Sequence, residues 1–505
     1  MNRINSQNLQ SKLNFGSQMI LSRAVSTNSN LYAHISPLGN PSINLQPVLD
    51  KWKEEGKKLR IAELQRIIRD LRKRRRYSQA LQVSEWIGDR GIMPFSSSEH
   101  AVQLDLIGRV RGFESAESYF NNLSDEEKTE KTYGALLNCY VQAKLPDKSV
   151  SLAKKMKELN FFSSPLCYND LMCLYTYTKE YEKIPNLLNE MKENGVSPDN
   201  FSYRICLNSY GIMSNIQGVE NILEELESRE DMGIDWNTYT NAAHFYIRAG
   251  LTDKAVVSLK KAEEKLDKKD RTPYNHLISH YASLGNKEEV KRLWELKKKS
   301  LKKKHINADY VTMLGSLVKL EEIEEAENLL MEWKSSGNQY DFRVPNVLLI
   351  AYSKRGMVEK AESLLEHLSE KGEASRVPAS WAILVAGYVK KEEMQKAVEC
   401  MNKAFSFREN DKGWKPKDST VISSLLKWLG DNGGVEEVES FVESLKQFHY
   451  KMDKDMYKAL IKANVRAGQD PHEILESMKA DNIDEDEEIK EMLSLNHTSN
   501  LLAFL

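Results

Sequence analysis

A column of small or β-branched residues recurs along most of the chain: Ala80, Ala116, Ser149, Ile184, Val219, Ala255, Val290, Ala326, Ala361, Ala397 and Val438. The nine intervals from Ala80 to Ala397 average (397 − 80)/9 = 35.2 residues, and only the last step, to Val438, stretches to 41. Self-similarity at a fixed period of this size belongs to arrays of one repeated supersecondary unit, so the spacing constrains the fold more than any single motif does. A 34-residue repeat would cover 9 × 34 = 306 residues over the same steps instead of 317 and lose phase.

Each unit carries two amphipathic stripes. Between Pro165 and Asp199, Tyr168, Leu171, Met172 and Tyr175 fall at i, i+3, i+4, i+7, and so do Ile184, Leu187, Leu188 and Met191. That spacing makes one apolar face on a helix and none on a strand. Lys179 and Glu180 mark the turn between the two helices, and Asn194-Gly195 with Pro198 closes the unit. The pattern returns in Tyr310, Leu314 and Leu317 before Ala326, Leu329, Leu330 and Trp333, closed by Gly337. It returns again in Leu348, Leu349 and Tyr352 before Ala361, Leu364, Leu365 and Leu368, closed by Gly372. A small residue at the ladder position lets two helices approach where an aromatic would hold them apart. One hairpin cannot bury both stripes, whereas stacked hairpins can. The predicted fold is therefore all-α, a right-handed α-solenoid of about 11–12 stacked helix-turn-helix repeats over residues 61–486. Units start near Ile61, Ser97, Glu130, Pro165, Asn200, Trp236, Arg271, Asn307, Phe342, Pro378 and Ser419, with a degenerate twelfth from Lys454. The 41-residue step reads as a lengthened loop around Phe407 to Trp414. Pro471 and the acidic run Asp484 to Glu488 read as a polar end cap, and 487–505 as a C-terminal tail.

Composition narrows the function classes. Lys+Arg 72 against Asp+Glu 74 gives a net charge of −2, so an anionic partner must meet local positive patches rather than a whole-molecule field. Gly 24 and Pro 13 among 505 residues are too few for a turn-rich all-β chain. No uncharged apolar run approaches the ~20 residues that span a bilayer, so no membrane insertion is expected. The cysteines Cys139, Cys167, Cys173, Cys206 and Cys400 form no CxxC pair and read as reduced structural thiols.

Residues 1–49 contain no Asp or Glu, three basic residues (Arg3, Lys12, Arg23) and eight each of Ser and Asn. Leu9, Leu13, Ile20 and Leu21 share a loose helical face ahead of Arg23. This composition fits a transit peptide, mitochondrial in preference to plastid, with a polar disordered tail as the alternative. Residues 50–60 read as a linker.

The unit that contains Cys-Tyr-Asn-Asp-Leu-Met (167–172) and ends Met-Lys-Glu-Asn-Gly-Val-Ser-Pro-Asp (191–199) resembles the pentatricopeptide repeat family over roughly residues 61–486. The stretch Arg74-Arg75-Arg76-Tyr77-Ser78-Gln79-Ala80-Leu81, with Glu85-Trp86-Ile87, is similar to the opening of a plant subgroup of pure, P-type members with organellar targeting. The resemblance implies binding of single-stranded organellar RNA, one repeat per base. The fifth and last residues of a unit then meet the Watson–Crick edge while an aliphatic second residue packs on the ring. It implies no cofactor. Carried onto this chain, Asn169 with Asp199 has the pattern for a uracil-type pyrimidine, and Thr240 with Asp270 and Ser423 with Asp453 have the pattern for guanine. Asn275 and Asn346 suit pyrimidines, but their units end at Ile306 and Val377. Elsewhere the fifth residue is Ala101, Gly134, Arg204, Val311 or Ala382. The second is Leu166 or Phe201 in two units but Lys131, Asn237, Thr272, Arg343 or Thr420 in others. No contiguous code is legible, which leaves structured RNA or protein as further targets of the surface.

Two basic runs supply a coarser handle. Arg72 to Arg76, with Arg74, Arg75 and Arg76 as candidate phosphate contacts, sits at the first inter-helix turn, and Lys297 to Lys304 ends a second helix. Both equally suit solvated helix ends. Catalytic and metal signatures are lacking: His276 and His280 stand at i, i+4 without the Glu of HExxH, the region after Asp453 has no cysteine for a zinc deaminase, and no Walker, Rossmann or nucleophile-elbow motif occurs. Acidic stretches such as Glu321 to Glu327 read as solvated faces. The leading expectation is a noncatalytic organellar RNA-binding protein acting in transcript processing, stability or translation. The alternative is a structural subunit of a mitochondrial ribosome or other ribonucleoprotein, favoured by near-neutral charge and by Trp414 and Trp428 read as exposed. A pure protein-binding adaptor is a third reading.

Overall fold

A computed structural model describes residues 30–57, 59–229, 232–267, 270–301, 305–369, 377–407 and 414–493, and these are helical with no strand among them. The chain divides into two compact units, 1–234 and 235–505.

In the first unit five hairpins follow one another: Ile61–Lys73 with Tyr77–Asp89, Ser97–Arg111 with Phe113–Asn121, Glu130–Gln142 with Pro146–Glu158, Pro165–Thr178 with Lys183–Glu193, and Asn200–Ile212 with Ile216–Glu227. In the second unit there are seven: Trp236–Arg248 with Thr252–Glu264, Thr272–Ser283 with Lys287–Leu301, Asn307–Lys319 with Ile323–Ser335, Arg343–Lys354 with Val358–Ser369, Pro378–Lys390 with Met394–Ser406, Ser419–Asn432 with Val435–Gln447, and Lys454–Arg466 with His472–Ala480. Within the second unit each first helix packs on its own second helix and on the first helix of the next hairpin. The first unit repeats this from Ser97 onward.

The packing explains the ladder. All eleven ladder residues are at 0% exposure, so each sits where the helices of neighbouring hairpins come together. A second column lies ten residues into seven of the units: Tyr140, Tyr175, Tyr210, Tyr246, Tyr281, Tyr352 and Tyr388. Tyr140 donates its hydroxyl to Glu117 of the preceding hairpin at 2.7 Å, and Lys148 of its own hairpin reaches the same carboxylate at 2.8 Å. Tyr352, Glu327 and Lys360 repeat the arrangement, with the Lys360 ammonium 2.6 Å from Glu327 and 4.9 Å from the Tyr352 ring centre. Glu117 and Glu327 each follow a ladder residue and Lys148 and Lys360 each precede one, so a single register staples hairpin to hairpin.

Several expectations change. Within the segment expected as leader and linker, Leu31–Ile35 and Gln46–Glu54 are helices, and Leu31, Ile35, Leu45, Leu49 and Trp52 are buried there. The first hairpin's second helix holds this segment by long-range hydrogen bonds. Gln79 donates to the Leu38 and Gly39 carbonyls, Gln82 accepts from the Leu45 amide at 2.7 Å, and Trp86 Nε1 donates to Asp50 at 2.8 Å. A terminal repeat needs its outer face covered, and this segment covers it. The leader features of residues 1–29 lie outside the described residues. At the other end, residues 487–493 are helical, and Ile489 is buried with Tyr457, Ile461 and Met478, so the tail has an apolar anchor beneath its acidic run. Trp414 stacks edge-on to Phe448 at 5.4 Å, and it and Trp428 are only half exposed. The acidic stretch from Glu321 is not merely solvated: Glu322 and Glu325 bridge to Lys287 and Lys291 of the preceding hairpin.

Candidate functional site

In the second unit two clefts lie between the first helices of adjacent hairpins, and their lining is set by register. One cleft is lined by Asn275, His276 and Ser279 on Thr272–Ser283, facing Val311, Thr312, Gly315 and Lys319 on Asn307–Lys319. Another is lined by Ser423, Ser424 and Lys427 facing Asp455, Lys458, Ala459 and Lys462, with Glu488 and Met492 of the tail at its side. The same helical positions, four, five and eight residues beyond the unit start, line the leading wall each time, so the fifth residue of a unit faces a cleft in both.

In the first unit the expected pair meets. Asn169 is 3% exposed, and its Nδ2 donates to Asp199 Oδ1 at 3.2 Å. Asp199 is positioned because it caps the following helix, accepting from the Ser202 amide at 2.8 Å and the Ser202 hydroxyl at 2.9 Å. Burial opposes ionisation of Asp199, but the Ser202 and Asn169 hydrogen bonds outweigh it and hold its carboxyl below the usual range. Asn169 Oδ1 is buried without a hydrogen-bond partner. A buried acceptor left open costs roughly 1–3 kcal/mol, which a donor arriving from a ligand would return. One residue into the two neighbouring first helices, Leu166 is 60% and Phe201 43% exposed, and the Arg204 guanidinium lies 5.3 Å from the Phe201 ring centre. Apolar side chains standing in solvent on the helix of an unpartnered polar group and on the next first helix suit a flat, polar-edged ligand.

The other expected pairs do not assemble in this way. Thr240 turns its hydroxyl back to the Asn237 carbonyl at 3.0 Å, while Asp270 accepts from the Thr272 amide at 2.9 Å. Asp453 caps Lys454–Arg466 through the Met456 amide at 3.0 Å, and Ser423 lines its cleft. Asn275 and Asn346, whose units end in Ile306 and Val377, do have partners, supplied three residues further on. Asn275 Nδ2 donates to Asp309 at 3.3 Å, and Asn346 Oδ1 accepts from the Ser380 hydroxyl at 2.7 Å. Asp309 and Ser380 stand at the third position of the following unit; the polar residue there was the signal, one column away from the last-residue position.

The basic runs also divide. Arg76, half-buried, donates to the Ser36 carbonyl at 2.6 Å and helps fix the N-terminal cap, and Arg74 and Arg75 stand exposed beside it. Lys297 is completely buried, so the lysine run is not a continuous cationic face; Lys302–Lys304 lie outside the described residues. A cationic row that the runs obscured lies instead on the last turns of first helices and the turns that follow. It comprises Lys144 and Lys179 in the first unit and Arg248, Lys319, Lys354 and Lys390 in the second, all exposed. The negative helix C-terminus favours cations there. His276 lies 5.3 Å from the Trp236 ring and His280 5.9 Å from His244. Burial, with His244, His276 and Lys319 nearby, pulls His280 down to about 4, and no group of three metal-ligating side chains converges among the described residues.

Repeating helical hairpins, clefts between their first helices, a buried amide–carboxylate pair flanked by exposed apolar side chains, and cations on the adjoining turns define a modular recognition array rather than a closed active site. Residues 163–211 match the PPR repeat family, and residues 131–161, 272–300, 309–338, 344–373 and 379–406 match the PPR repeat. The chain belongs to the pentatricopeptide repeat family: it is 48% identical to a mitochondrial pentatricopeptide repeat-containing protein of Arabidopsis thaliana over 94% of this chain and 97% of that one. It is also 35% identical to the Arabidopsis thaliana large ribosomal subunit protein mL101 over 92% and 94% of the two chains. Among solved structures, the crystal structure of the pentatricopeptide repeat protein PPR10 from maize is similar at a TM-score of 0.42 and 19% identity, covering 94% of this chain and 75% of that one.

Proposed function

We propose that this protein is a P-type, noncatalytic mitochondrial RNA-binding protein that holds single-stranded segments of a transcript in the clefts between first helices and so acts on its processing, stability or translation. The observation that carries the reading is Asn169: a buried amide oriented by Asp199, with an acceptor that has no partner, on a helix whose Leu166, like Phe201 of the next first helix, stands exposed. Bases splayed out of a single strand present flat faces to Leu166 and Phe201 and polar edges to Asn169. Lys144, Lys179, Lys319, Lys354 and Lys390 provide phosphate contacts without sequence preference. The chemistry assigned to these clefts is that of holding a ligand. The mitochondrial assignment is supported by the acid-free N-terminus and by the mitochondrial names of similar proteins. Incubating the purified protein with total mitochondrial RNA at moderate ionic strength and sequencing what is retained tests this: enrichment of a defined set of transcripts supports it, and retention no better than that of a heat-unfolded sample removes it.

A second reading rests on the mL101 likeness, in which the protein is a ribosomal component and its clefts meet ribosomal RNA. Sedimentation of gently lysed mitochondria separates the two, because a ribosomal component migrates with the large subunit and a transcript-binding factor does not.

A further inference from the structure

Seven residues after each ladder position the chain carries Ile87, Leu123, Met156, Met191, Leu226, Ala262, Trp333, Leu368, Ala404 and Leu445, all buried. The eleventh member of this apolar column is Lys297, at 0% exposure. An ammonium there persists only with partners, since an unpaired buried charge is far costlier than the methyl groups it displaces. It has two: Asn275 Oδ1, 2.6 Å away, and the Asp309 carboxylate. Asp309, itself at 0% exposure, is also held by Arg271 at 3.0 Å and by the Ile306 amide at 3.0 Å.

These partners fix an orientation that an amide alone leaves ambiguous. A carboxylate only accepts and an ammonium only donates, so the oxygen of Asn275 must face Lys297 and its nitrogen must face Asp309. Asn275 is left with one uncommitted N–H, and its oxygen is turned to a cation. Asn169 differs at the oxygen: its nitrogen gives one N–H to Asp199 and keeps the other, while its oxygen has no partner. Two asparagines at the same position of their units therefore differ in whether an acceptor is left for a ligand, and the difference comes from Lys297, a residue on a second helix.

We propose that Lys297 is a specificity-determining positioning residue that turns Asn275 into a donor, so that the cleft between Thr272–Ser283 and Asn307–Lys319 takes a nucleobase whose ring nitrogen accepts, cytosine among the pyrimidines. Asn169 takes one whose ring nitrogen donates, uracil. The inference rests on the RNA-binding reading above. Removing Lys297 leaves Asn275 held by Asp309 alone, through its nitrogen, which is the arrangement of Asn169, and the preference turns over to uracil.

The test is selection from a random single-stranded RNA pool with the full chain and three variants, Asn169→Ala, Asn275→Ala and Lys297→Met, each checked for native helicity and melting. The nucleotide whose preference Asn275→Ala erases identifies the position facing this cleft. The expected result is cytosine there in the natural protein and a swing of roughly tenfold toward uracil in Lys297→Met, the scale of one well-made polar contact to a base edge. Uracil at that position in the natural protein, or enriched RNA in which Asn275→Ala changes nothing, overturns the inference while leaving RNA binding intact. Should Lys297→Met fail to fold, the Asn275→Ala comparison still reads the base at this cleft, where cytosine supports the inference and uracil overturns it. Absence of any enriched RNA with the natural protein overturns both readings.

Discussion

Asp170 sits one residue from Asn169 and is a liability of the opposite kind. It is 8% exposed, its Oδ2 has no hydrogen-bond partner, and burial, with the Asp105 carboxylate nearby, pushes it up to about 7. A carboxyl with a folded value above its unfolded value near 3.9 binds its proton more tightly when folded. Its contribution is therefore fully present below about pH 4 and is lost as pH rises through 7. Asp170→Asn should be more stable than the natural protein by about 4 kcal/mol at pH 8, with the gap closing toward pH 4, as read by urea unfolding at the two pH values. His280 has the other sign. Burial lowers it to about 4, so the unfolded chain takes up the extra proton as pH falls from about 6.5 to 4, and stability drops across that window. His280→Gln should flatten that part of the stability–pH curve, and an unchanged slope would mean that His280 titrates freely when folded. Residues of this kind are poorly legible in a sequence, because partners are set by packing between units. Lys297 is instructive: its place in an otherwise apolar column is visible by counting seven from Val290, yet six lysines between 297 and 304 invite the reading of one exposed run.

Among elements, the helical hairpins were legible because their periodicity is local and repeated; the ladder and the stripes at Tyr168 and Ile184 mark faces that the packing does bury. The cap formed by residues 30–57 was not. Its apolar residues follow no helical period across two short helices, and its polar groups are satisfied from Gln79 and Gln82 far along the chain, while its residues 30–49, free of Asp and Glu, share that feature with leaders. The inter-helix turns were legible in outline, but their backbone was not. Fourteen residues into a unit the chain enters the left-handed region, with Gly at 285 (φ 73°) but Glu at 321 (φ 65°). A side chain is strained there and glycine is not, so Glu321→Gly should raise stability by about 0.5–1 kcal/mol, seen as a higher melting temperature. The staple between hairpins makes a second claim. Tyr352→Phe and Glu327→Gln should each cost about 1 kcal/mol, and the double variant should cost less than the sum, because the hydroxyl and the carboxylate serve one another. Strict additivity would mean that the contact contributes nothing.

For the whole molecule the informative quantity is not net charge, which is −2, but where positive charge stands. Cations stand exposed at first-helix ends in both units, and one of them, Lys319, lines the cleft beside Asn275, whose lining is otherwise polar and apolar, which fits a ligand that carries charge on its backbone and polarity on its edges. Affinity for single-stranded RNA should therefore fall with salt by about 0.7 logarithmic units per phosphate contact. Lys354→Gln with Lys390→Gln should flatten that slope by about 1.4 and leave base preference unchanged. The central claim is that RNA lies in the clefts between first helices. Ultraviolet crosslinking of the full protein to mitochondrial RNA, with the modified residues mapped by mass spectrometry, tests it most directly. Adducts should fall on first helices, in the segments around Leu166 to Asn169, Phe201 to Arg204 and Asn275 to Ser279; adducts confined to second helices, or none above an unfolded control, would contradict it.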